Sequence, residues 1–122
     1  MLFRSRRIEI EVLRSKAAVK AFTDTWRQVK AGRPPTPRLA FGSLRELFSA
    51  VTEKRLELVR FVAANDGRNT RQLAQQLGRD YKNVHTDVSQ LVELGLLEKD
   101  ENGRLAAPFD EIVIHAAVRD AA

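Results

Sequence analysis

Between Asp80 and Gly95 the chain carries Lys82, Asn83, His85, Thr86, Ser89 and Gln90, six hydrogen-bonding side chains crowded into nine positions. If this run is a helix, 3.6 residues per turn place Lys82, Thr86 and Ser89 almost directly opposite Val84, Val88 and Leu91. Asn83, His85 and Gln90 then flank them. The outward face would present one cation with hydroxyls, amides and an imidazole, and no carboxylate. That inventory suits the donor and acceptor pattern of base edges in a DNA major groove. Asp87 falls toward the buried flank, and Glu93 faces outward only at the C-terminal end, away from where such a helix meets the groove. A face that served solubility alone would usually mix both charge signs.

A second set suits phosphate rather than bases: Arg68, Arg71 and Arg79 around the same stretch, with Lys99 and Arg104 further on. Each of the last two reads equally well as an ordinary solvated charge beside Asp100 and Glu101. Tyr81 could stack on or bond to phosphate, but the helical angle turns it toward the apolar side, so packing stays open for it. The two histidines, His85 and His115, lack a plausible catalytic partner in the sequence, and no glycine-rich phosphate loop occurs. The absence of cysteine excludes disulfides, thiolate metal sites and a cysteine nucleophile. The chain is therefore expected not to be an enzyme and to need no cofactor or metal, with His115 read as a partly buried strand residue.

These side chains need elements to hold them. Thr70 starts a helix with Leu73, Ala74 and Leu77 on one side, Gly78 ends it, Asp80 caps the next helix and Gly95 closes that one, which together spell a helix-turn-helix. Upstream, Ser43-Leu44-Arg45-Glu46 forms a capping box for a short helix, and Thr52 caps another with Leu56, Val59, Val62 and Ala63 on its stripe. Arg38–Phe41 reads as a small strand. Downstream, Leu96–Lys99 and Arg104–Ala107 flank Asn102-Gly103, a strong hairpin-turn signal, and form the wing of a winged helix. Asp110–Ala117 is a further strand candidate, placed to pair with Ile8–Leu13 of its own or a second subunit.

Residues 7–13, RIEIEVL, alternate as a half-buried strand does. A helix from Ser15 to about Ala31 follows, with Val19, Phe22, Trp26 and Val29 at helical spacing, and Gly32 with Arg33-Pro34-Pro35-Thr36-Pro37 ends it. This divides the chain into an N-terminal strand-helix appendage and linker, 1–37, and a helix-turn-helix domain with a C-terminal strand, 38–122. The expected fold class is mainly α with small β, an α+β winged helix-turn-helix. Phe3, Ile8, Ile10, Phe22 and Trp26 are the candidate dimer or partner contacts.

A chain of 122 residues with 43% hydrophobic and 30% charged content fits one globular domain with a modest core. The net charge of +5 points to an anionic partner, but its distribution is uneven. Residues 1–38 hold ten Lys or Arg against three acids, whereas the remainder holds eleven against thirteen. The cations near Asp80–Gly95 are local, and the basic N-terminal segment would have to supply much of the phosphate attraction. Neither an export signal nor a membrane span is legible, so a cytoplasmic protein without a membrane partner is expected.

The order helix, helix, TRQLAQQLG, DYKNVHTDVSQLVELG and the hairpin LLEKDENGRL resembles the winged helix-turn-helix of prokaryotic MarR/ArsR-type transcriptional regulators. More narrowly, TEKRLELVRFV, RQLAQQLGRDYKNVHTDVSQLVELGLLE and PFDEIVIHA resemble a group of small DNA-binding proteins of bacteria and archaea, some of them antitoxins. The resemblance covers about residues 39–116, and LGRDYKNVHTDV is its specific part. It implies a homodimer on double-stranded DNA, binding a short inverted repeat, with Arg79, Tyr81, Lys82, Asn83, His85 and Thr86 near the duplex. The chain lacks the long dimerisation helices of MarR proteins and the cysteine metal sites of many ArsR proteins. The expected function is a transcriptional regulator of the repressor type, with an autoregulating antitoxin that also binds a cognate toxin as a variant. The alternative is a winged-helix protein-interaction module without DNA binding, which the acid-bearing wing favours.

Overall fold

The computed structural model describes residues 6–12, 20, 23–24, 26–27, 30–32, 37–116 and 118. They form a mixed fold of helices and two small sheets. The strands are β1 (Arg7–Val12), β2 (Arg38–Phe41), β3 (Glu98–Lys99), β4 (Leu105–Ala106) and β5 (Glu111–His115). The helices are α1 (Leu44–Ala50), α2 (Glu53–Ala64), α3 (Thr70–Leu77) and α4 (Tyr81–Leu94). Lys20, Thr23, Asp24, Trp26, Arg27 and Lys30 are also helical, within the segment expected to be a helix. No helix among the described residues is long and apolar enough to cross a membrane.

The chain gathers into two compact units, one of residues 1–49 with 111–122 and the other of residues 50–110. This grouping differs from a division at residue 37. In the first unit β1 is the central strand of an all-parallel sheet, with β2 on one side and β5 on the other. Main-chain hydrogen bonds therefore tie together strands from both sides of the proline-rich stretch, and the N-terminal strand is no appendage. Ile8 and Ile10 are buried in this unit, at 5% and 0% exposure. Their side chains are spent in the chain's own core, which corrects their assignment as partner contacts. Trp26 is exposed, with the Lys30 ammonium 5.6 Å from its ring centre, while Phe3 and Phe22 lie outside the described residues.

The opposite face of β1 is polar. Arg38 Nη1 lies 3.0 Å from Glu9 Oε2 and 3.2 Å from Glu11 Oε1, because parallel register sets Arg38 directly beside Glu9. His115 Nε2 stands 3.8 Å from Glu9 Oε1, and its side chain is about half exposed on β5.

The second unit is helical with one hairpin. Val59 and Val62 of α2 are buried as expected and Leu58 is buried with them, whereas Leu56 is only half-buried and Ala63 is exposed, so the stripe leans toward Leu58. Leu73 and Ala74 of α3, Val84, Val88 and Leu91 of α4, and Leu96, Leu97 and Leu105 complete the buried set. Helices α3 and α4 pack on each other, and α2 packs on β4.

Candidate nucleic-acid interface

Local rules fix α4 tightly at both ends. The Asp80 side chain accepts the Asn83 amide at 3.2 Å, satisfying one of the free donors of the first turn. At the far end Gly95 is left-handed, at φ 81°, and the Leu96 amide reaches back to the Leu91 carbonyl at 2.9 Å. The same device ends α3: Gly78 is left-handed at φ 64°, and the Arg79 amide donates to the Ala74 carbonyl at 3.0 Å. Helix α3 starts at Thr70, as expected. Its cap is Asn69, not Thr70, with Asn69 Oδ1 accepting the Gln72 amide at 2.8 Å and Gln72 Oε1 accepting the Asn69 amide at 3.0 Å. Thr70 is the first helical residue, and its hydroxyl is buried without a partner.

With α4 held this way, Val84, Val88 and Leu91 are buried, and Lys82, Asn83, His85, Thr86, Ser89 and Gln90 are all exposed. The side-chain directions inferred from helical periodicity are met at all nine positions. Thr86 Oγ1 donates to the Lys82 carbonyl at 3.1 Å, which leaves its lone pairs outward and makes it an acceptor toward anything docking there.

Asp87 is the carboxylate of this stretch that leaves the outer face, and it is fully occupied. Its Oδ1 accepts Arg55 Nε at 3.0 Å and its Oδ2 accepts Arg79 Nη2 at 2.7 Å. Partial burial pushes the Asp87 carboxyl up, but the hydrogen bonds and positive charges of Arg79 and Arg55 outweigh that, holding it below its ordinary 3.8. Arg55 also donates to the Ala50 carbonyl at 2.9 Å. One carboxylate thus joins α2, the α3–α4 turn and α4. Arg79, expected at phosphate, is tied into this cluster with its side chain 24% exposed. Arg55 escaped sequence reading because its acidic partner lies 32 residues away, beyond any local pattern.

Tyr81 does not pack inward. It is exposed, its ring lies under the Arg71 guanidinium at 4.6 Å, and its centre is 5.8 Å from the His85 ring. Cation–π attraction across the two helices therefore links Arg71 of α3 to the outer face of α4.

The hairpin is anchored through Leu105, whose amide donates to the Arg68 carbonyl and whose carbonyl accepts the Gly67 amide. Its turn is centred one residue earlier than expected. The Gly103 amide closes onto the Asp100 carbonyl, and Asp100 Oδ1 accepts the amides of Asn102 and Arg104 at 2.9 and 2.8 Å. Asp100 organises the loop as an Asx turn, and Gly103 supplies the positive φ of 78°. Lys99 and Arg104 stand exposed on its two sides. Arg68 is half-buried, and its Nε is buried without a hydrogen-bond partner. A polar groove of about 460 Å³, lined by Gly67, Asn69, Gln72, Asn102 and Arg104, runs between the hairpin turn and the start of α3. The Asn69–Gln72 spacing that signals a capping box could have pointed to this edge from sequence.

Comparison with known proteins gives one family model, HVO_A0114, which matches residues 50–114. No curated protein and no solved structure matches the chain. The matched span takes in the whole helical unit with the hairpin and runs into β5. Because it covers more than half of the chain, the protein belongs to the HVO_A0114 family.

Proposed function

We propose that this protein is a sequence-specific DNA-binding transcriptional regulator of winged helix-turn-helix type, acting as a homodimeric repressor on an inverted repeat. The observation that carries the reading is the outer face of α4. Its six exposed polar residues include no carboxylate, and the nearby Asp87 is neutralised by two arginines. In this reading α4 lies in the major groove, with Lys82 at guanine, Asn83 and Gln90 at adenine, and His85, Thr86 and Ser89 filling the remaining base-edge contacts. Arg71, Tyr81, Lys99 and Arg104 hold phosphates. Arg79 works indirectly, by fixing the turn that aims α4.

The test is a selection of bound duplexes from a random-sequence pool, followed by titration of the winning site. A recovered two-fold repeat, bound far more tightly than scrambled DNA, is the expected result. Equal affinity of the wild type and a Lys82→Ala/Asn83→Ala double variant for every duplex would overturn the reading.

A second reading, a protein-interaction module such as a toxin-neutralising antitoxin, is favoured by the exposed Glu98, Asp100 and Glu101 of the hairpin. These acids would repel a phosphate backbone at that edge. Failure to enrich any DNA in the selection, with the fold intact, favours this second reading.

A further inference from the structure

The apolar surface of the described residues is concentrated in the unit that contains the sheet. Of the large hydrophobic side chains left exposed, Trp26, Phe48, Ile114 and Val118 belong to that unit and only Tyr81 to the other. Within the sheet, Ile8 and Ile10 are buried, whereas Ile114, beside Ile10 in register, is 43% exposed. Among the described residues, the isoleucine layer runs out to the edge strand and ends there with Ile114 partly exposed.

Backbone geometry says which way that edge points. The Glu111 amide donates to the Arg6 carbonyl, so the main-chain groups of Glu111, Val113 and His115 face β1. By the two-residue alternation of a strand, those of Ile112 and Ile114 face away from the sheet. The sequence of β5, Glu-Ile-Val-Ile-His, is self-complementary about Val113. An antiparallel second copy centred there sets Ile112 against the second copy's Ile114, with both residues aiming their outward main-chain groups at each other. It also sets Glu111 against the second copy's His115.

The consequences reach across the whole sheet. On one face a row of Ile8, Ile112, the second copy's Ile114 and the second copy's Ile10 closes the open layer. On the other, Glu11, His115, the second copy's Glu111 and the second copy's Arg7 form a row that alternates acid and base. The other edge, β2, is a poor candidate: Pro37 precedes it and it carries Arg38, both edge-blocking features, whereas β5 contains no proline, lysine, arginine or glycine.

We propose that the outer edge of β5 is the dimer interface, with two copies pairing antiparallel through Glu111–His115 about a two-fold axis at Val113, so that the two three-stranded sheets become one. This deepens the dimer of the preceding reading but does not depend on DNA binding.

The full chain supplies a clean test, since it has no cysteine. Val113 would be a non-hydrogen-bonded pair with Cα atoms about 4.5 Å apart, inside the range a disulfide spans. Val113→Cys is expected to form a covalent dimer under mild oxidation, while Ala40→Cys on β2 is not. Sedimentation equilibrium without DNA is expected to show a wild-type dimer, and Ile114→Lys should raise its dissociation constant about tenfold or more with an unchanged circular dichroism spectrum. A monomeric wild type, a dimer indifferent to Ile114→Lys, or cross-linking through Ala40→Cys in place of Val113→Cys would overturn the interface. A β5-linked dimer that enriches no DNA would instead overturn the proposed function and leave the interface standing.

Discussion

Asp87 illustrates how a single carboxylate can be removed from a surface by being used elsewhere. Its depressed pKa means that the folded chain holds this proton less tightly than the unfolded chain does. The stabilisation is therefore complete above the ordinary carboxyl value and fades as the pH falls through the folded one. Urea midpoints measured between about pH 2 and 5 should rise with pH in the wild type, and Asp87→Asn should flatten part of that rise. At neutral pH, Asp87→Asn should cost about 1–3 kcal/mol, because two charged hydrogen bonds lose their acceptor charge. Arg79→Ala should also destabilise the fold, which separates it from Asn83→Ala. Under the proposed DNA reading, Asn83→Ala leaves stability unchanged and relaxes preference at one base pair by about 1–3 kcal/mol, measured by competition with single-base variants of the site.

At the scale of elements, the boundaries of α4 were legible because caps are local: Asp80, Gly78 and Gly95 each act on neighbours within five residues. Helix α3 starts at Thr70 as expected, but Asn69 and Thr70 both have cap-forming side chains, and only the reciprocal bonds with Gln72 make Asn69 the cap. Asn69→Ala should therefore cost about 1 kcal/mol in chemical denaturation. Thr70→Val should be neutral or stabilising by up to about 1 kcal/mol, because it replaces a buried hydroxyl that has no partner. Asn-Gly marks the hairpin turn in the sequence, but it is the Asp100 side chain that does the bonding. The pairing of β1 with β5 matches the expectation for these two strands, whereas its parallel sense, its register and its position within one chain lie beyond local reading. Alternation identifies a strand's buried face but not its neighbour, and the pairing joins opposite ends of the described chain.

For the whole molecule, charge placement sets the expected salt response. Residues 1–38 carry the excess of cations, while the helical unit offers Arg71, Lys82, Lys99 and Arg104 as exposed candidates around α4 and the hairpin. If these four meet phosphate, log affinity should fall with log salt by roughly 0.9 for each contact, and Arg71→Ala should lower that slope by about 1. A slope unchanged in Arg71→Ala would assign the phosphate attraction to the N-terminal segment, as its basic composition suggests.

The unit of residues 50–110 is inserted between strands of the parallel sheet, and this orders events during synthesis. Its helices and hairpin depend on contacts close in sequence, which form quickly. β1 and β2 must wait until β5 has left the ribosome before their sheet can be completed. The helical unit can thus mature while the sheet is still missing its last strand, and any association through β5 is postponed until the helical unit has been made. A chain halted after Asp110 would carry the whole helical unit yet have no means of pairing through that edge.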